Sequence, residues 1–171
     1  MSRNRFREIM RYLRSDLKRT RSHRLQSDKF ALASEVWQRF IDNCFLCYKP
    51  GENLSAGEQL FPSKARCRFT QYMENKPDKF GIKFWMLVDN DTEYLCNAFP
   101  YLGKDELLSA NESLPESVAI RLMSPYLNKG RNVTTDKFFT SPSLARTLKA
   151  NDISIVGTIS RTRREIPAVL A

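Results

Sequence analysis

The sequence predicts an α/β fold in which N-terminal helices precede a mixed sheet. Three observations carry that prediction. Apolar residues recur at helical spacing in 3–14 and again in 32–48, the period then shortens to that of strands, and from residue 115 onward helix and strand alternate.

Phe6, Ile9, Met10, Leu13 and Leu17 recur at three- and four-residue intervals, so 3–14 reads as an amphipathic helix with a basic outer face. Residues 18–30 are polar and basic and read as a connector. A second helix, 32–48, places Val36, Trp37, Phe40, Ile41, Cys44, Phe45 and Tyr48 on one side, and Pro50-Gly51 stops it. Strand candidates follow at 54–60, 67–72, 81–88 and 94–99. The run Ile82–Val88 is apolar on both faces apart from Lys83, which suits a central strand, and Asp89-Asn90-Asp91-Thr92 makes a hairpin turn. A helix at 115–127 leads to a short strand, 131–135, ending at Asp136. Ser141 then caps a helix with Pro142 in its first turn, and a strand at 153–158 precedes a short basic tail. The order reads as three antiparallel strands, then helix, strand, helix, strand.

The 171 residues, 42% hydrophobic and 27% charged, suit one globular domain. No apolar run approaches the roughly 20 residues of a membrane span, and the N-terminus has no apolar signal core. The expectation is a nuclear or cytoplasmic chain that is not secreted and has no membrane partner. Asn53, Asn111 and Asn132 in Asn-x-Ser/Thr are then chance matches, and the four cysteines reduced thiols. The net charge of +9 is uneven: residues 1–29 hold ten Lys/Arg against Glu8, Asp16 and Asp28, which leaves +7 there. A basic face of that kind suits a polyanion, because neutralising phosphates releases condensed counterions; a solvated helix is the alternative. The DNA-contact candidates in this stretch are Arg3, Arg7, Arg11, Lys18, Arg19, Arg21 and Arg24. Residues 18–24 also read as a nuclear-import signal.

Cys44 and Cys47 form a Cys-x2-Cys, with Cys67 and Cys96 as conceivable further zinc ligands. The pair lies in an apolar helix and no second close pair exists, so buried thiols are expected instead. His23, the one histidine, lies in the basic connector without a positioned nucleophile, and the scattered glycines form no phosphate loop.

Several blocks of sequence remain. They are Tyr48-Lys49-Pro50-Gly51, Asn53-Leu54-Ser55-Ala56-Gly57-Glu58-Gln59-Leu60, Lys64-Ala65-Arg66-Cys67-Arg68-Phe69, Asn75-Lys76-Pro77, Phe80-Gly81-Ile82-Lys83 and Tyr101-Leu102-Gly103-Lys104. Further on come Asn132-Val133-Thr134-Thr135-Asp136-Lys137-Phe138-Phe139-Thr140-Ser141, Val156-Gly157-Thr158 and Arg163-Arg164-Glu165-Ile166-Pro167. In this order and spacing they resemble the transposase domain of piggyBac-type DNA transposons over nearly the whole chain. The resemblance implies a helical, basic region at 1–50 and an incomplete ribonuclease-H-like core at 51–171. In that family two Mg²⁺ ions held by three aspartates drive hydrolysis and strand transfer of DNA phosphodiesters.

Carried onto this sequence, the first ligand position is Gly57, where the family's strand ends in Asp-Glu. The second is Asp136, and the third is expected downstream, where only Asp152 and Glu165 follow. Glu58 matches the glutamate of the motif. Strand alternation points it away from the side of position 57, so it could replace the aspartate only through a bulge. Lys137 stands where asparagine is usual, and its ammonium discourages a cation nearby. Asp136 also suits a cap on the following N–H groups. The cations Lys64, Arg66 and Arg68, and then Arg161, Arg163 and Arg164, are DNA-contact candidates or exposed loops; Phe138 and Phe139 are expected in the core.

The sequence thus reads as a piggyBac-transposase-derived chain that is not an enzyme. It would need no cofactor, its ancestral Mg²⁺ site being lost and Asp136 a remnant, and would keep weak DNA binding through its basic N-terminal region. The alternatives are part of an active metal-dependent transposase, or a remnant or interaction module that self-associates through apolar surface beside the last strand.

Overall fold

A computed structural model of the chain describes residues 1–14, 16–63, 67–103, 113–161 and 165–166. The chain divides into two compact units, Met1–Asp42 and Asn43–Ala171, and the division falls inside the helix Ser34–Cys47.

In the first unit, α1 (Arg3–Tyr12) starts at Ser2, whose side chain accepts the Arg5 N–H, and no α1 residue is buried. The connector expected at 18–30 is in part a helix, α2 (Lys18–Arg24), so His23 lies on a helix. No apolar stripe holds it. The Asp16 carboxylate pairs with both Arg21 and Arg24, and Arg24 also donates to the Ala31 carbonyl at 2.7 Å. Local ion pairing shapes this segment, which apolar periodicity cannot register. The next helix, α3 (Ser34–Cys47), buries only Cys44, while Val36, Phe40 and Phe45 of its expected apolar side are exposed.

The second unit holds β1 (Asn53–Pro62), β2 (Thr70–Tyr72), β3 (Phe80–Asp89), β4 (Leu95–Pro100), α4 (Leu114–Met123), β5 (Arg131–Thr135), α5 (Pro142–Ala150) and β6 (Ile153–Gly157). The fold is mixed α/β with one mixed sheet, as predicted, in the order β2-β3-β1-β5-β6 with β4 also on β3. β3 runs antiparallel to β1, from Leu54↔Asp89 to Pro62↔Gly81, while β5 and β6 join in parallel. β2 pairs with β3 at Phe80–Ile82 and β4 pairs with it at Phe84–Val88. Both therefore occupy the edge of β3 away from β1, and four strands fill three antiparallel positions. The helix expected at 115–127 stops at Met123 and tightens into a 3₁₀ turn, Ser124–Tyr126, since Pro125 has no N–H to continue it.

Leu54, Ala56, Trp85, Leu87, Val133 and Ile153 of the sheet pack with Val118, Ala119, Leu122 and Met123 of α4 and Leu144 and Leu148 of α5. Each of the Leu, Val, Ile and Met side chains among them contributes about 1.5–3 kcal/mol when removed from water. These strand residues share one face, so α4 and α5 cover the same side of the sheet. Alternation puts Ser55, Gly57, Gln59, Phe61, Ile82, Phe84, Met86, Thr134 and Val156 on the other side. Val156 there is exposed. All four cysteines are free thiols, and Cys44 and Cys96 are buried. Cys47, expected buried, is exposed at the last turn of α3. Burial, with Asp89 nearby, pushes the Cys96 thiol up to about 11. Among the described residues no helix is long and apolar enough to cross a membrane.

Candidate functional site

β1 and β5 are parallel neighbours, and their last paired rung is Ala56↔Thr135. The residues that follow on each strand are Gly57 and Asp136. The fold therefore brings together the two sequence-predicted ligand positions on which it depends, one a glycine. A Cβ at position 57 would meet no atom within 4 Å, so the place a side chain would take is open. Asp136 is exposed, and its Oδ1 accepts the N–H groups of Phe138 at 2.9 Å and Phe139 at 3.4 Å. This is the turn-capping role that aspartate commonly takes at a strand end.

Thr140 closes the same turn: its hydroxyl lies 2.7 Å from Thr135 Oγ1 and donates to the Asp136 carbonyl at 2.7 Å. Gly157 at the end of β6 is level with Thr135. A Cβ there would run into Thr140 Oγ1 and lie 2.5 Å from the Thr135 carbonyl oxygen. Only a glycine lets β6 end against this turn, and its place in the motif Val-Gly-Thr was the sequence signal for it.

Glu58 faces away from this opening. The β1–β3 register runs without a bulge through Gly57↔Met86 and Glu58↔Trp85, so Glu58 lies on the helix-covered side. There it forms an ion pair with Lys83, whose Nζ sits 3.8 Å from the centre of the Trp85 ring. Phe138 stacks on the other neighbour of that group, its ring centre 5.4 Å from that of Trp85. Sequence reasoning did not find this Glu58–Lys83–Trp85–Phe138 cluster, because it depends on cross-strand register. Phe139 is buried as expected, whereas Phe138 keeps an exposed edge.

Asp152 lies at the opposite end of the parallel strands. Ile153 pairs with Arg131, a β5 length or about 16 Å from Asp136. Glu165 is exposed. Among the described residues, no three His, Cys, Asp or Glu side chains are grouped to hold a metal ion. One exposed carboxylate beside a glycine does not fit the divalent cations that the resemblance implies, since a hard cation needs several converging oxygens.

The basic candidates divide. Arg21 and Arg24 are committed to Asp16, whose side chain is only 5% exposed. Arg3, Arg7 and Arg11 follow at four-residue intervals on α1 and form one exposed ridge, with Lys18 and Arg19 exposed at the start of α2. Arg68 and Arg161 are exposed as well. Lys64, Arg66, Arg163 and Arg164 lie outside the described residues.

A family model described as Transposase IS4 matches residues 1–171. The chain is also similar to a solved structure described as a cryo-EM structure of piggyBac transposase in a synaptic complex with hairpin DNA. The two are 39% identical, with a TM-score of 0.88, over 99% of this chain and 36% of that one.

Proposed function

The chain belongs to the Transposase IS4 family, of piggyBac type, and on that premise we propose that it binds DNA without cutting it. The observation that carries this reading is the end of the β1–β5 pairing at Ala56↔Thr135, after which the next residues are Gly57 and Asp136. Catalysis by two metals needs carboxylates on both sides of the ions, and here one strand supplies none. The other supplies a single carboxylate that already receives two N–H groups. No step of phosphodiester chemistry is assigned to these residues.

DNA engages through the phosphate backbone. The ridge Arg3, Arg7 and Arg11, with Lys18 and Arg19, presents five cations, and Arg68 and Arg161 are further contacts. Arg21 and Arg24 shape α2 instead. Arginine forks suit phosphate oxygens, and such contacts position DNA without reading its sequence. The consequence is steep salt dependence with little sequence preference, each phosphate contact adding about 0.9 to the slope of log affinity against log salt.

A gel-shift titration of duplex DNA across salt, run beside a cleavage assay in Mg²⁺ and Mn²⁺, tests both halves. Shifted duplex without cleavage is expected, and R3A/R7A/R11A should lower the salt slope by about 3. No shift at low salt removes the binding half. Metal-dependent cleavage that disappears in D136A would replace this reading with an active transposase.

A further inference from the structure

We infer that the tip of the β1–β2–β3 ribbon is a stacking platform for single-stranded DNA, built on Phe61, Tyr72 and Phe80. Tyr72 and Phe80 are 55% and 60% exposed and form one antiparallel rung, with ring centres 5.0 Å apart. Phe61 is 45% exposed and stands opposite Ile82, two residues along β3 from Phe80. Cross-strand partners share a face and alternate residues return to it, so all three rings project from the same side of the sheet. It is the side of Gly57, four residues or about 13 Å from Phe61 along β1.

The rings are held where they are. Phe61 packs edge-on against the buried Phe84 at 5.2 Å. Gly81 lets β3 cross tightly under Phe61, since a Cβ at 81 would overlap the Phe61 carbonyl. Tyr72 makes no hydrogen bond through its hydroxyl among the described residues. Three aromatic rings left in water at one ribbon tip form a surface that π-faces would cover.

Charge selects the occupant. Arg68 and Lys79, close to the rings in sequence, are exposed, and the described residues 67–82 carry Arg68, Lys76 and Lys79 against Glu74 and Asp78. The chain as a whole carries +9, of which +7 lies in residues 1–29, and that charge opposes a second copy and favours a polyanion. In a duplex the bases stack on one another and offer no free faces, whereas an unpaired strand offers every base to a ring, with flanking cations on its phosphates. This site uses other residues, and another form of DNA, than the N-terminal ridge.

The test is fluorescence anisotropy of the full chain with labelled oligothymidine and with a blunt duplex of equal length. Y72A/F80A should weaken oligothymidine binding by roughly tenfold or more per ring and leave duplex binding unchanged, while Y72W/F80Y retains it. R3A/R7A/R11A should weaken duplex binding while the loss on Y72A/F80A persists, so the two sites fail separately. The platform is overturned if Y72A/F80A changes neither affinity or weakens both equally at an unchanged melting temperature. It is also overturned if the same variant alters sedimentation without altering oligothymidine binding, because a protein contact then covers the rings.

Discussion

Two strands beside β1 end in an aspartate, and the two ends are built differently. Asp89 ends β3 and is buried. Its carboxylate accepts the Gly51 N–H at 2.7 Å, the Tyr48 hydroxyl at 3.2 Å, and the N–H groups of Asp91 at 2.8 Å and Thr92 at 3.2 Å. Asp136 directly follows β5 in the open and accepts two N–H groups, and the residue that follows its partner strand's last paired position is a glycine. The same residue at the same kind of position is a structural hub at one end and a turn cap at the other. A charged group in an interior is kept only where donors replace its water; at an exposed strand end nothing demands that, and the carboxylate is available for other work.

Removing the buried hub should have the largest effect. Asp89→Ala leaves three backbone N–H groups without their acceptor, and urea denaturation should show a loss of about 3–5 kcal/mol. The pH dependence follows the same group. The Gly51 N–H above all, against an opposing contribution from burial, holds the Asp89 carboxyl below its ordinary 3.8. A lowered folded-state pKa contributes stability that is present above the unfolded value and lost as pH falls toward the folded one. The native chain should therefore lose stability as pH drops below 3.8, and Asp89→Asn should flatten that limb of the curve. If both proteins show the same acid limb, Asp89 is not the hub described.

Gly157→Ala comes next. The added methyl has no room between Thr140 Oγ1 and the Thr135 carbonyl, so β6 or the turn must shift. Overpacking of that kind costs about 1–3 kcal/mol, and thermal unfolding reads it directly. Asp136→Ala should cost less, about 1 kcal/mol, the typical loss of an exposed aspartate cap. A loss as large as that of Asp89→Ala would erase the contrast between the two strand ends.

Much of the second unit was legible in the sequence because its signals are local. The apolar run at Ile82–Val88, the Asp-Asn-Asp-Thr turn and the Ser-Pro helix start each name an element without help from the rest of the chain. What escaped depends on partners distant in sequence or on charge pairing. A count of cations cannot separate Arg21 and Arg24, which Asp16 holds, from Arg3, Arg7 and Arg11, which stand clear of it. Periodicity reported α2 as a connector because ion pairs rather than an apolar stripe shape it. The adjacency of Gly57 and Asp136 came from the family resemblance, since nothing local to either strand states which parallel neighbour it will take. Phe80 lay inside a motif block and Tyr72 at the end of the strand expected at 67–72, but their exposure follows from β2 and β4 dividing one edge of β3, a matter of register.

Gly57→Asp should change stability least and sharpen the contrast most. The position is open on the side a Cβ would take, so the substitution meets no steric barrier, and glycine and aspartate are both poor strand formers. The expected change in unfolding free energy is within about 0.5 kcal/mol, the range of surface substitutions. Two carboxylates then stand where the β1–β5 pairing stops and repel each other until a cation joins them, as hard divalent ions do with converging oxygens. Mn²⁺ should therefore raise the melting temperature of the Gly57→Asp protein and leave the native chain and Gly57→Asp/Asp136→Ala unmoved. An equal Mn²⁺ response in all three proteins would place cation binding elsewhere, and position 57 would then not be what separates this strand end from a metal site.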